Sequence, residues 1–293
     1  MIVYLNGQYI EATSARVSIW DGGYLYGDGI YTTLRLYSGI PLDLAAHVAR
    51  LEKHAGVLAL PIPVDEDRLR TIACELARAN GLAASDSRLR ITVSRGGDPE
   101  NPLPLQNLEK LPSTVLVTVA PISPEQERWA VDGIPVITLD DNFARGNFPE
   151  LKTLNSLATL RALRRAAVAG CPEALLTDPN GRLLEGAISN LFIVSGPHLM
   201  TPLSEGGFLA GRTRERIMKL ARREGIPVRE EHLERSDLKA ADEVFVASSV
   251  REILPVTAVD GAVVGAGVPG PVTRLIQTRY RELVRAALTD RQD

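Results

Sequence analysis

Long apolar runs and metal-binding motifs are missing from this 293-residue sequence, and no secretory leader is expected. No stretch approaches the ~20 consecutive apolar residues that a bilayer-spanning helix needs, so no membrane span is expected. The opening Met1-Ile2-Val3-Tyr4-Leu5-Asn6-Gly7 has no basic leader followed by an apolar core, which points to a cytoplasmic location. The two cysteines, Cys74 and Cys171, lie far apart and outside any CxxC, so neither a disulfide framework nor structural zinc is expected. The four histidines, His47, His54, His198 and His232, form no HExxH. His47 and His54 could share a helix face, but no acid cluster completes a metal site beside them, and all four read as ordinary residues. The glycines around Tyr24 and Tyr26 do not match GxGxxG, and no strand–turn–helix context supports a dinucleotide loop there. The net charge of −3 gives no reason to expect nucleic acid or an anionic membrane as partner. Lysine is scarce, occurring only at positions 53, 110, 152, 219 and 239, which leaves five candidates for a reactive amine.

What is present is the balance of a soluble globular protein, 45% hydrophobic and 24% charged. Leu44 to Leu60 carries apolar residues at helical spacing, with Asp43 placed to cap it. Asp65 to Asn80 reads as a second helix closed by Gly81. Arg88 to Arg95 alternates with period two, setting Leu89, Ile91 and Val93 on one face and Arg88, Arg90, Thr92 and Ser94 on the other. Strands are expected at Thr114–Val119, Pro135–Leu139 and Glu243–Ala247, and a β-meander over 173–201 with its turn at Asp178-Pro179-Asn180-Gly181. Helices are expected at Leu154–Ala169, Thr213–Glu224 and 272–287. Strands and helices mix in both halves without strict βαβ alternation, which predicts an α+β protein of two domains. The proline-bearing polar run Pro121 to Arg128 is the best linker candidate. The expected division is therefore a smaller domain over 1–120, a linker over 121–128 and a larger domain over 129–293.

Few residues stand out as candidates for chemistry on local grounds. Lys152, between an irregular stretch and an expected helix, sits against the favoured dipole sign of a helix start. An amine kept partly deprotonated could form a Schiff base with an aldehyde cofactor, though a solvated surface lysine is the commoner case. Glu185, flanked by apolar strand residues, needs a partner such as a protonated pyridine nitrogen, unless it faces solvent at a strand end. Gly211-Arg212-Thr213 leads into a helix and could cradle a phosphate, or Thr213 could be a plain N-cap. Ser248-Ser249 offers hydroxyls of the same kind, and Arg50 alone reads as a solvated helix residue.

Together, these pieces occur in a recognisable order. The run from Asp21 to Arg35 (DGGYLYGDGIYTTLR) is followed by His47-Val48-Ala49-Arg50-Leu51, Lys152-Thr153-Leu154-Asn155, Glu185-Gly186 with Ser189-Asn190-Leu191-Phe192, Leu209-Ala210-Gly211-Arg212-Thr213-Arg214, and Ser248-Ser249-Val250-Arg251-Glu252-Ile253-Leu254-Pro255-Val256. The series spans essentially the whole chain and resembles the class IV aminotransferases. The resemblance implies a fold type IV enzyme that uses pyridoxal 5′-phosphate (PLP), with a smaller N-terminal domain, a larger C-terminal one, and a homodimeric assembly. It implies that Lys152 is the catalytic, cofactor-bearing lysine and moves a proton at the substrate Cα. Glu185 would pair with the pyridine nitrogen. Arg50, Arg212, Thr213 and Ser249 would bind the phosphate, and Asn190 belongs to the same cofactor-binding set.

The substrate side mixes features of several members. Tyr31 resembles the tyrosine of D-amino-acid aminotransferases, whereas Tyr26 and Arg35 resemble the branched-chain pattern, and Arg90 falls where branched-chain enzymes carry an arginine. Tyr31 to Arg35 and Val93 to Gly96 also resemble aminodeoxychorismate lyase. The expectation is a transaminase for amino acids, D-amino acids favoured, with 2-oxoglutarate or pyruvate as acceptor. Arg35 and Arg90 would grip the substrate carboxylate with help from Tyr31, and Val250 and Arg251 would lie beside the substrate. An aminodeoxychorismate lyase and a branched-chain L-amino acid aminotransferase are the alternatives.

Overall fold

The computed structural model describes residues 1–140, 148–204 and 208–289. Its internal contacts divide the chain into two units, Met1–Ile122 with Leu151–Asn155, and Ser123–Glu150 with Ser156–Asp293. Two sequence expectations change here. The run expected as a linker contains the start of a helix, Glu125–Asp132: Pro124 stands at its N-cap and Glu125 and Glu127 fill its first turn, where acids suit the helix dipole. The lysine-bearing segment Leu151–Asn155, expected with the later residues, is grouped with the first unit.

The first unit contains β1 (Ile2–Leu5), β2 (Gln8–Glu11), α1 (Gly22–Tyr26), β3 (Gly29–Tyr37), β4 (Ile40–Pro41), α2 (Leu44–Val57), α3 (Glu66–Ala79), β5 (Ser87–Arg95) and β6 (Ser113–Pro121). The strands form one antiparallel sheet in the order β2-β1-β6-β5-β3-β4. Alternation decides its faces. Ile30, Leu34 and Leu36 of β3 join Leu89, Ile91 and Val93 of β5 in a core with Leu44, Val48 and Leu51 of α2 and Leu69, Ile72 and Leu76 of α3. Tyr31, Thr33, Arg35, Arg88, Arg90 and Thr92 project from the opposite face. Asp65 caps α3 by accepting from the Arg68 N–H at 2.8 Å. Asp43 does not repeat this at α2: it adopts φ 58° and its side chain makes no cap hydrogen bond. Another aspartate, Asp21, caps the short α1, with Oδ1 accepting from the Gly23 and Tyr24 N–H groups and Oδ2 from Ser94 Oγ.

The segment around Lys152 is extended rather than helical. The Tyr31 N–H donates to the Lys152 carbonyl and the Leu154 N–H to the Gly29 carbonyl, both at 2.9 Å, with Ile30 and Thr153 paired as an antiparallel bridge. Room for this docking comes from glycine. A Cβ on Gly29 would lie 2.7 Å from Leu154 Cδ1 and 2.7 Å from the Val93 carbonyl oxygen. At Gly27, the left-handed C-cap of α1 with φ 71°, a Cβ would strike the Asn155 side chain.

The second unit contains α4 (Glu125–Asp132), β7 (Ile134–Leu139), α5 (Leu157–Val168), β8 (Glu173–Thr177), β9 (Arg182–Gly186), β10 (Asn190–Ser195), β11 (His198–Pro202), α6 (Arg212–Arg223), β12 (Val228–Glu231), β13 (Leu233–Glu234), α7 (Arg235–Ala240), β14 (Glu243–Ser248), β15 (Glu252–Val259), β16 (Ala262–Val263) and α8 (Pro271–Thr289). Its main sheet runs β12-β11-β10-β14-β15-β7-β8-β9-β13, with β16 on β15. The expected meander is therefore split. β8–β9 and β10–β11 are hairpins, but β14, β15 and β7 stand between them. The Gly186 N–H bonds the Ser189 carbonyl at 2.7 Å, a turn that ends β9 and sends β10 to pair with β14. There Phe192 lies opposite Phe245, and the rings stack with centroids 4.8 Å apart. Among the described residues, no helix is long and apolar enough to cross a membrane.

Steric room at the glycines predicts opposite outcomes for two substitutions. Gly29→Ala forces a methyl group into Leu154 and the β5 backbone and is expected to cost about 1–3 kcal/mol. Gly56→Ala, on the exposed face of α2 with open space around it, is expected to stabilise by about 0.5–1 kcal/mol through helix propensity. Urea unfolding of both variants tests this; equal midpoints would contradict the docking of Leu154 over Gly29.

Candidate functional site

In the first unit the register of one bridge determines what Lys152 meets. Ile30 opposite Thr153 places Tyr31 opposite Lys152, so their side chains share a sheet face. On the other side of β3, Tyr31 is opposite Thr92 and Thr33 opposite Arg90. Two side chains converge on the Tyr31 ring: Lys152 Nζ lies 4.6 Å from its centroid and Arg90 Cζ 3.7 Å from it. Arg90 Nε also donates to Thr92 Oγ1 at 3.1 Å. Burial holds the Arg90 guanidinium below its ordinary pKa, and the Tyr31 hydroxyl partly offsets this. Among the described residues no carboxylate forms an ion pair with Arg90.

The Lys152 main chain is held from both sides. Its carbonyl accepts from Tyr31, and its N–H donates to His54 Nδ1 at 3.3 Å. His54, expected to be an ordinary histidine, is the acceptor for the Lys152 N–H. The only sequence signal was its seven-residue spacing from His47, which puts both on one face of α2, and both rings turn out to serve the sheet. His47 Nδ1 and Thr32 Oγ1 share a hydrogen bond of 2.8 Å, and Arg50 Nη2 reaches the same pair at 3.3 Å from Thr32 and 3.4 Å from His47. Arg50 thus stands on the helix-covered side of the sheet, ordered by a buried threonine and histidine.

Two substrate-side expectations fare differently from Arg90. Arg35 shares the sheet face, but its Nε and Nη2 both reach Asp86 Oδ2, at 2.9 and 2.8 Å. Its charge is met within the chain, so it does not stand beside Arg90 as a second open guanidinium. Tyr26 ends α1 and is exposed.

In the second unit, Glu185, Asn190, Arg212, Thr213, Ser249, Val250 and Arg251 sit on three neighbouring turns. Glu185 is buried near the end of β9. The turn at Gly186–Ser189 leads to Asn190, which lies opposite Ala247 at the end of β14, just before Ser249 and Val250. Asn190 Nδ2 donates to the Leu209 carbonyl at 3.0 Å, and a Cβ on Gly211 would fall 2.0 Å from Asn190 Oδ1. Asn190 therefore draws the start of α6 toward the end of β14. Gly211, not Thr213, is the N-cap of α6, and no side chain caps that end. Thr213 is buried in the first turn. Arg251, expected beside the substrate, turns to Glu173 Oε2 at 3.3 Å and the Pro172 carbonyl at 3.3 Å.

Glu173 is the residue that sequence reading missed. It is fully buried, and it begins β8 with nothing in its local sequence to separate it from a solvated strand end. Its partners Ser189 and Arg251 lie 16 and 78 residues away.

Comparison with known proteins identifies the family. Residues 29–259 match the family model described as Amino-transferase class IV. A putative branched-chain-amino-acid aminotransferase of Methanocaldococcus jannaschii is 35% identical over 97% of this chain and 96% of its own length. A D-alanine aminotransferase of Bacillus licheniformis is 33% identical over 97% of both chains. Among solved structures, the branched-chain amino acid aminotransferase of Escherichia coli superposes with a TM-score of 0.87 at 30% identity, covering 96% of this chain and 94% of that one. The α+β, two-domain fold type IV expected from sequence is the fold of these relatives. This chain belongs to the class IV aminotransferases, enzymes that work with pyridoxal 5′-phosphate.

Proposed function

We propose that this enzyme transfers an amino group between an amino acid, with preference for D-amino acids, and a 2-oxo acid such as 2-oxoglutarate or pyruvate. The observation that carries the reading is Arg90: a half-buried guanidinium with no carboxylate ion pair among the described residues, stacked on the ring that also receives the Lys152 amine. A cation that loses solvation without gaining an anion is destabilised, and a substrate carboxylate supplies that anion in a two-point grip.

The residues present fit PLP. Lys152 offers an amine on a fixed main chain, Glu185 a buried carboxylate, and α6 an N-terminus free of any side-chain cap, suited to an anion. When bound, PLP supplies the electron sink for the pair left at the substrate Cα. The chain supplies the rest. Lys152 Nζ anchors the cofactor aldehyde and carries the Cα proton. The Glu185 carboxylate keeps a proton on the ring nitrogen. Arg50, the backbone N–H groups of Arg212 and Thr213, and Ser249 hold the phosphate, with Asn190 ordering the α6 end. Arg90 holds the substrate carboxylate and Tyr31 orients it, with Tyr26 and Val250 on the substrate side. The D-amino-acid preference is supported by Tyr31, by the likeness to D-alanine aminotransferase, and by the engagement of Arg35, a residue of the branched-chain pattern, with Asp86. A homodimer is supported by the exposed apolar side chains Val17, Ile19, Trp20, Tyr24, Leu25 and Tyr26 within one short stretch of chain, since clustered exposed apolar surface marks interaction sites.

Three outcomes are expected. Lys152→Ala abolishes the absorption band of protein-bound PLP together with turnover; a variant that kept both would remove Lys152 from its role. Arg90→Ala raises KM for the 2-oxo acid about 10- to 100-fold with a smaller change in kcat, and Arg90→Lys does not restore it; unchanged steady-state kinetics in both would defeat the carboxylate assignment. In the wild type, single D-amino acids without an oxo acid convert bound PLP to pyridoxamine phosphate. Conversion by L-leucine instead would move the substrate to the branched-chain class, and release of 4-aminobenzoate from aminodeoxychorismate without any transamination would make the enzyme a lyase.

A further inference from the structure

Glu173 has no part in the chemistry above, yet it is the most deeply enclosed carboxylate on this side of the second unit, with a relative exposure of 0%. Burial lifts its pKa, and Arg251, the N–H groups of Ala174 and Ile188 and the Ser189 hydroxyl pull the other way. Oε1 accepts from the Ala174 N–H at 2.9 Å. Oε2 accepts from Ser189 Oγ at 2.9 Å and from Arg251 Nη1 at 3.3 Å. All of these groups donate, so only an oxygen-ended, acceptor side chain satisfies them together.

Three chain segments therefore meet at one carboxylate. The first is the start of β8. The second is the turn after β9, packed so closely that a Cβ on Gly186 would lie 2.2 Å from Ser189 Oγ and 3.2 Å from Glu173 Cδ. The third is the turn between β14 and β15, closed by the Arg251 N–H on Ser248 Oγ at 3.4 Å. Arg251 is fixed further by the Pro172 carbonyl and by stacking 5.7 Å from the Trp129 ring centroid. Glu185 and Asn190 flank the second segment, and Ser249 and Val250 lie inside the third.

We propose that Glu173 is a positioning residue for the cofactor, its carboxylate fixing the Glu185–Asn190 turn against the Ser249 turn through Ser189 and Arg251. The inference rests on the reading that Glu185 and Ser249 hold PLP. Arg251 accordingly acts as an anchor of its own turn and not as a substrate ligand. Glu173→Gln removes the charge that meets Arg251 and leaves one carboxamide oxygen for the three donors of Ala174, Ser189 and Arg251, so the two turns lose their common reference while the side-chain volume is kept.

The test is a titration of the full-length apo-protein with PLP, following the absorption of protein-bound cofactor, with thermal unfolding of each apo-variant measured separately. Glu173→Gln is expected to weaken PLP binding about 10- to 100-fold, the range typical of residues that orient direct ligands. Ser189→Ala, which loses one hydrogen bond, is expected to weaken it about threefold to tenfold. Glu173→Gln with a lowered apo Tm but wild-type PLP affinity would overturn the proposal, leaving a structural role alone. If Glu173→Gln does not fold, Ser189→Ala decides: wild-type affinity overturns the proposal, weakened affinity at near wild-type apo Tm supports it. Wild type and Lys152→Ala serve as references. Absence of the wild-type band, or its survival in Lys152→Ala, defeats the functional reading itself; a wild-type band lost in Lys152→Ala with normal Glu173 and Ser189 variants defeats only this inference.

Discussion

Two backbone hydrogen bonds, Tyr31 N–H to the Lys152 carbonyl and Leu154 N–H to the Gly29 carbonyl, set the terms for the face of the first unit that carries Lys152, Tyr31 and Arg90. Strand pairing has a strict two-residue period, so a slip of one residue would turn Lys152 to the helix-covered side. In the observed register the amine, the phenol of Tyr31 and the guanidinium of Arg90 meet on the side of the sheet opposite the helices. The main-chain contact of His54 and the small size of Gly29 serve the same end. They remove freedom from the lysine backbone.

Buried charges in this protein fall into two kinds. Arg95 gives its guanidinium to Asp28 and to the carbonyls of Leu58, Ala59 and Leu108. Arg214 is met by Thr201, Pro202 and Glu230, and Glu243 caps α8 through Val272 and Thr273. Each is satisfied within its own unit and contributes rigidity. Arg90 is different, since its nearest neighbours are a ring and a hydroxyl. Incomplete internal pairing of a partly buried charge is a physical marker of a site that expects a ligand.

Much of this was legible in the sequence where periodicity governs. The alternation of Arg88 to Ser94 correctly separated the core face from the face that carries Arg90, and the helix read over Asp65 to Asn80 is α3. What could not be read depended on residues distant along the chain. Lys152 to Asn155 looked like a helix start because its strand partner lies some 120 positions earlier, and α5 in fact begins at Leu157. The hairpins β8–β9 and β10–β11 were both visible as strands, but nothing local said that β14 would separate them. Asp86 and Glu173 each engage an arginine that the motif pattern had directed toward substrate. Whether an arginine is already neutralised is a property of three-dimensional neighbours and not of its own motif.

Chain order and packing part company at Leu151–Asn155, which belongs to the first unit although the second has begun by Ser123. During vectorial synthesis the first unit is thus incomplete when its contiguous residues have emerged. Roughly thirty more residues must leave the ribosome, a delay of about 2–7 s at ordinary elongation rates. Throughout that interval the Gly29 carbonyl and Tyr31 N–H form an unpaired sheet edge, the kind of surface on which nascent chains cross-associate. The element that carries Lys152 is also the one that seals that edge, so the nascent chain cannot complete the fold of its N-terminal portion before Lys152 has been translated.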